Sequence, residues 1–262
     1  MYNSARLIVA QGGGRMATAA CPSSVPARKT RLPGRQFDHV FFSAMALLLA
    51  AAVFAGFART YYLAGVFRAP LPSLIIHLHG AAFSIWIVLF VTQTALVSAR
   101  RVDVHRRLGI AAFFWACLMI VLGLLAATDA LARGAGPPGR DPRAFFAVPI
   151  GDMLIFATLI FFAFRNRTNP AVHKRLLVIA TVGLSVAAIN RWPFLVRHHN
   201  GAPYSYIFLL MIAAYDLWST HRVYGSTICG SAFLISIQQI CGPIGRTSAW
   251  LHLAAWLQSL VR

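Results

Sequence analysis

Residues 74–97, LIIHLHGAAFSIWIVLFVTQTALV, decide the class of this chain. The stretch holds no Asp, Glu, Lys or Arg. A helix needs about 20 largely apolar residues, at about 1.5 Å each, to cross a hydrocarbon core of about 30 Å. Five further runs outward from it have the same character: His39–Phe57, Leu108–Ala127, Ala147–Phe164, Leu176–Asn190 and Ala202–Leu217. Tyr224–Ile240 is a weaker seventh, because Gln238 and Gln239 fall inside it. The sequence therefore predicts an all-α, polytopic transmembrane helix bundle of about seven spans.

Composition agrees. Of 262 residues 58% are hydrophobic and 11% charged, where a soluble domain carries about 25% charged. Lys and Arg number 24 against 6 Asp and no Glu, a net +18. These cations lie between apolar runs and not on one polar face, so they predict no nucleic-acid partner. The predicted partner is the lipid bilayer. Cationic loops stay in the cytoplasm, and with the N-terminus inside 15 of the 24 basic residues lie on that side. SARRVDVHRR (98–107) and RNRTNPAVHKR (165–175) dominate the vote. The expected location is a bacterial inner membrane, N-terminus in and C-terminus out.

Three regions follow. Residues 1–37 read as a disordered basic arm, with no apolar run long enough for a signal peptide. Residues 38–246 form the bundle. Residues 247–262 read as an interfacial amphipathic helix, with Trp250, Leu253, Ala254, Leu257, Leu260 and Val261 on one face and His252, Gln258 and Ser259 away from it. Cys21, Cys117, Cys229 and Cys241 show no C-x-x-C spacing, which predicts neither a metal-thiolate site nor a disulfide framework.

The chemistry lies in a few polar residues. VHRRL (104–108) recurs as VHKRL (172–176), each closing a basic loop and opening a span. A His followed by two cations is a common snorkelling anchor. At helical spacing His105 heads a face with Gly109, Ala112, Ala116, Met119 and Gly123, and His173 heads one with Leu176, Ala180, Gly183, Ala187 and Asn190. Small faces serve close helix packing, or leave a slot for a flat cofactor such as haem with a His on each helix. Within 74–97, His79, Phe83, Trp86, Phe90 and Gln93 share one stripe, and His77 is turned away from it. His79, Asp152, Asn190 and Arg191 fall at outer span ends, with His198 and His199 in the following loop. Asp152 and Arg191 either neutralise each other as a pair, or His79 and Asp152 line an outward pocket as ligands or proton carriers.

The pattern H-G-x5-W-x6-Q at His79–Gln93, with H-R-R-L-G at His105–Gly109 and H-K-R-L at His173–Leu176, resembles a group of uncharacterised bacterial multi-pass membrane proteins over roughly residues 38–258. The resemblance implies an inner-membrane protein with these histidines and no established activity. More loosely, histidines at both faces are similar to the haem-b membrane cytochromes and small haem-binding oxidase-assembly proteins. That likeness implies haem b, with His79 and His198 or His199 as ligands outside and His105 with His173 inside, and a respiratory-chain or other membrane partner. Two other readings stand beside it: a proton-linked carrier using Asp152, His79, Asn190 and Arg191, and a non-catalytic assembly scaffold. The spans hold no Gly/Pro-interrupted pair of the kind found in many transporters. No G-x-S-x-G, H-E-x-x-H or Gly-rich phosphate loop supports a hydrolase or a kinase, while a membrane oxidoreductase stays open.

Overall fold

The computed structural model describes residues 37–69, 73–192 and 201–261. His198, His199 and the expected disordered arm fall outside the described residues, apart from the arm's last residue, Phe37. The chain order is α1 (Asp38–Phe57), a π-helical turn (Ala58–Tyr62), α2 (Ala64–Phe67), α3 (Leu74–Ser98), α4 (Val102–Ala132), α5 (Pro142–Phe145), α6 (Ala147–Arg165), α7 (Pro170–Ile189), α8 (Ala202–Thr220), α9 (Gly225–Gly245) and α10 (Ser248–Val261). No strand occurs among the described residues. Six segments are long and apolar enough to cross a membrane: Asp38–Tyr62, Leu74–Ser98, Val102–Ala132, Pro142–Arg165, Pro170–Ile189 and Gly225–Gly245. The chain is an all-α, multi-pass membrane protein.

That set reverses one expectation. Gly225–Gly245, expected to be the weak span, qualifies, and α8 falls short in apolarity. Yet α8 has 19 residues, about 28 Å of helix, and both of its ends are tied to α7. Gly201 N donates to Asn190 Oδ1 at one end (2.6 Å), and Arg175 pairs with Asp216 at the other. Asp216 lowers the hydropathy of α8, but it is fully buried against a cation and meets no lipid.

Seven long helices therefore run between two ends. The near end gathers the start of α1, the end of α3 and the start of α4, where Ser43 bonds Ser98 and Gln93 reaches His105. It also holds the end of α6, the start of α7, the end of α8 and the start of α9. The far end gathers the opposite termini, with Ser73 bonded to Asp129 and Gly245 seated against Ala144. Helices α1, α3, α4, α6 and α7 close a ring by successive packing, and α8 and α9 flank α7. Helix α7 is the axis of the bundle: 72% of its membrane-length window is buried, against 22% for α9.

Lipid offers helices no hydrophobic reason to associate, so close approach must do it. Gly56 lies against the Ala188 backbone where α1 crosses α7, so close that a Cβ there would overlap the Ala188 carbonyl. The small faces beneath the two histidines are likewise filled, Gly123 by Met153 and Gly183 by Ile155 and Leu234.

Helix α10 docks on α4 and α5 at the far end. Gln258, expected on the outward side, is buried with Ala254. It donates to the Leu131 carbonyl (2.7 Å) and accepts from Arg143 Nε (2.9 Å). The exposed face carries Leu253, Trp256, Leu260 and Val261 instead. An amide is stable there because both of its ends are bonded: Leu131 O, in the last turn of α4, also accepts from Gly134 N (3.0 Å) and has a second lone pair for the Gln258 amide.

Candidate functional site

The polar site at the near end is built from α3, α4, α6 and α7. Each VHxRL copy starts its helix earlier than hydropathy suggests, at Val102 and Pro170, so His105 and His173 lie in first turns and not in loops. Their rings face each other across the bundle, centroids 6.5 Å apart and planes at 82°.

Each ring has one nitrogen engaged. His173 Nδ1 lies 2.8 Å from the Ala163 carbonyl, an acceptor only, so Nδ1 carries the hydrogen and Nε2 keeps its lone pair. His105 is held the other way round, by Gln93. The backbone fixes the Gln93 amide, because the Gly109 N–H can only donate and the His105 carbonyl can only accept. Oε1 therefore accepts from Gly109 N (2.9 Å), while Nε2 donates to His105 O (3.2 Å) and to His105 Nδ1 (2.5 Å). His105 Nδ1 is thus an acceptor, and in the neutral ring Nε2 carries the hydrogen. One imidazole offers a donor at Nε2 and the other an acceptor. Both rings are half-buried, and no hydrogen bond engages either Nε2 among the described residues.

A second polar assembly, missed in the sequence, lies behind this pair. Arg175 and Asp216 are buried, with side-chain exposure of 2% and 0%. Arg175 grips both carboxylate oxygens, donates to the Ala171 carbonyl (2.7 Å), and stacks over the Tyr224 ring at 3.8 Å. Thr227 Oγ1 (2.6 Å) and Tyr224 N (3.2 Å) complete the Asp216 oxygens. Lys174 pairs with Asp38 at 2.5 Å, and Asp38 also accepts from Tyr215 (2.8 Å). The second repeat is therefore an ion-pair clamp on α1, α8 and α9, not a snorkelling anchor. The snorkelling description suits the first repeat, whose Arg106 and Arg107 are exposed. A carboxylate inside a span signals a buried cation partner; Asp216 carried that signal.

The remaining predicted residues are not brought together. Trp86 is buried in mid-bundle, edge-on to Phe156 at 5.2 Å, its Nε1 3.4 Å from Thr181 Oγ1. His79 is half-buried at the far end, its ring 6.4 Å from Phe83. Asn190 caps the start of α8 through Gly201. Arg191 stacks over Phe57 at 4.7 Å and donates to the Ala187 carbonyl (2.5 Å), so the Asp152–Arg191 pair is not formed. Asp152 has no hydrogen-bond or ion-pair partner among the described residues and lies near Cys241 of α9. Among the described residues no three His, Cys, Asp or Glu side chains converge as a metal site.

Fold and site define a polytopic helical membrane protein with a tautomer-fixed imidazole pair at one end. No family model, no curated protein and no solved structure matches the chain.

Proposed function

We propose that this is a proton-linked membrane carrier of a bacterial inner membrane, in which His105 and His173 take up and hand on a proton at one membrane face. The observation that carries this reading is the complementary pair of tautomers fixed by Gln93 and the Ala163 carbonyl. An imidazole accepts a proton at one nitrogen and releases one from the other, near neutral pH when unperturbed. His173 is set as the acceptor and His105 as the donor. Gln93 is a positioning residue that holds the donor tautomer.

A haem held between the two rings is supported less well. Ligation needs a lone pair on each ring, and Gln93 sets the His105 Nε2 as N–H. The faces that would flank a flat macrocycle are occupied, Gly109 by the Gln93 side chain, Gly123 by Met153, and Gly183 by Ile155 and Leu234. The residues do not fit the group, and a respiratory-chain partner, which follows only from the haem reading, loses its support with it.

The test is proton flux into vesicles containing the purified protein and a trapped pH-sensitive dye, driven by a potassium diffusion potential. Protein-dependent flux is expected, falling about a hundredfold or more in His105→Gln and His173→Gln, the lower end of the range for lost proton-transfer groups. Gln93→Leu should fall less. Flux no greater than in protein-free vesicles overturns the proposal. A reducible Soret band in the purified protein, lost in His173→Ala, would establish the haem reading in its place.

A further inference from the structure

Helices α1 and α3 are both long and apolar enough to cross a membrane, and a groove of about 570 Å³ runs between them at the near end. Its walls include His39, Ala44 and Leu47 of α1 and Ala95 and Ala99 of α3. His39 and Leu47 are eight residues apart, so the groove reaches about 12 Å along the span. Short alanine side chains leave the space. Ser43 and Ser98, which also line the groove, bond each other (2.9 Å), so neither hydroxyl calls for a polar partner at that depth. The groove therefore suits an apolar chain.

Its mouth is cationic. The Ser43–Ser98 bond sets the end of α3 level with the first turns of α1. Ala99 is the last groove residue of α3, and Arg100 and Arg101 follow it directly, both exposed. Residues 98–107 hold four Arg and one Asp. That Asp103 lies 3.9 Å from Arg101, and no ion pair engages Arg100 among the described residues. Arg100 also stands where the backbone favours glycine. Arg101 N donates to Leu96 O (2.8 Å) and Arg100 N to Val97 O (3.1 Å), closing α3 in a turn that holds Arg100 at φ 59°. Glycine is the usual residue at that position.

We propose that the groove between α1 and α3 binds one anionic phospholipid, an acyl chain lying along Ala44, Leu47 and Ala95 and the phosphate meeting Arg100 at the mouth. Such a lipid supplies in one molecule the apolar chain that suits the groove and the negative charge that its mouth lacks. Cations at a membrane surface attract anionic headgroups, and a guanidinium donates well to phosphate oxygens. The site uses no residue of the imidazole pair and stands or falls separately from the proton-carrier reading.

The test titrates the purified, delipidated chain in detergent with phosphatidylglycerol and with phosphatidylcholine of the same two chains, native mass spectrometry counting the lipid retained. Phosphatidylglycerol should bind about fivefold or more tightly. Arg100→Gly should lower its affinity about fivefold, the equivalent of about 1 kcal/mol for one cation beside anionic lipid. The unfolding midpoint should hold or rise in that variant, because glycine suits the turn. Ala95→Phe, at an exposed position on the groove wall, should weaken both lipids. Arg165→Gln removes an exposed cation of the same end from α6 and should change neither. Equal affinity for the two lipids would overturn the site. So would an equal loss in Arg165→Gln and Arg100→Gly, which would make the attraction a property of the whole face. Glycerol phosphate competing as well as the lipid would assign the mouth to a free phosphate and overturn the part of the chain. Lipid binding unchanged in Ala95→Phe would overturn the groove, and a dimer lost in that variant alone would assign it to a second copy.

Discussion

Asp216 shows what a carboxylate requires inside a membrane protein. Both oxygens are saturated, by Arg175, Thr227 and Tyr224 N, and the Arg175 guanidinium is itself sandwiched against Tyr224. Desolvating two ions is costly, and their attraction offsets that cost only when the remaining lone pairs and protons are also bonded. Removing one member leaves a bare buried charge. Arg175→Met should therefore destabilise the protein by about 3–5 kcal/mol, read as a lowered unfolding midpoint in detergent. The double variant Arg175→Met, Asp216→Leu should recover most of that loss, because no ion is left unpaired. Equal loss in single and double variants would show that the pair itself, and not the orphaned charge, stabilises the fold. The same logic separates Asp216 from Asp152, which has no such partner among the described residues.

At the scale of elements, the sequence patterns show which face of a helix turns inward more clearly than what that face meets. The stripe His79, Phe83, Trp86, Phe90, Gln93 was legible in α3, and Phe83, Trp86 and Phe90 are buried along it. His77, placed off the stripe by its spacing, is exposed. The end of the stripe was not legible: Gln93 meets the first turn of α4, and no periodicity in α3 encodes that neighbour. Lys174 and Arg175 fit a snorkelling pattern as well as a pairing pattern, because Asp38 and Asp216 lie 136 and 41 residues away. Gln258 misled for a similar reason, since its partners are backbone and side-chain groups on other helices. Helix crossings add a further test. Gly56 touches the Ala188 backbone, which cannot move aside, while Gly242 of α9 has open space around it. Gly56→Ala should cost about 1–3 kcal/mol through overpacking and lower the thermal midpoint. Gly242→Ala should be neutral or stabilising by up to about 1 kcal/mol, since Ala favours helix over Gly. A Gly56→Ala protein as stable as the parent would mean that α1 and α7 do not cross there.

For the whole molecule, the count of passes depends on α8. Hydropathy alone separates α8 from the six qualifying spans, and a chain with six passes would return its C-terminus to the side of its N-terminus. Geometry joins both ends of α8 to both ends of α7, through Asn190–Gly201 and Arg175–Asp216, so α8 runs alongside α7 from one end to the other. The residue that makes α8 look too polar is the one that pins it in place. Seven passes put α10 and the α4–α5 connection at one end, where Gln258 ties them together. They put Arg100, Arg106, Arg107, Arg165, Arg167 and Arg222 at the other, the end that the positive-inside rule would assign to the cytoplasm. Single cysteines read with an impermeant maleimide decide the matter. Ala135→Cys and Ser259→Cys should label in intact cells, whereas Ala99→Cys, Asn166→Cys and Arg222→Cys should label only after lysis. Arg222→Cys is the informative position, because it follows α8. If α8 failed to cross, Arg222→Cys would join Ala135→Cys in labelling from outside, and Ser259→Cys, one span further on, would become protected. Those two reversals would have to occur together, since α9 separates them, so a single discordant position would point to a local label artefact and both together would remove the seven-pass arrangement.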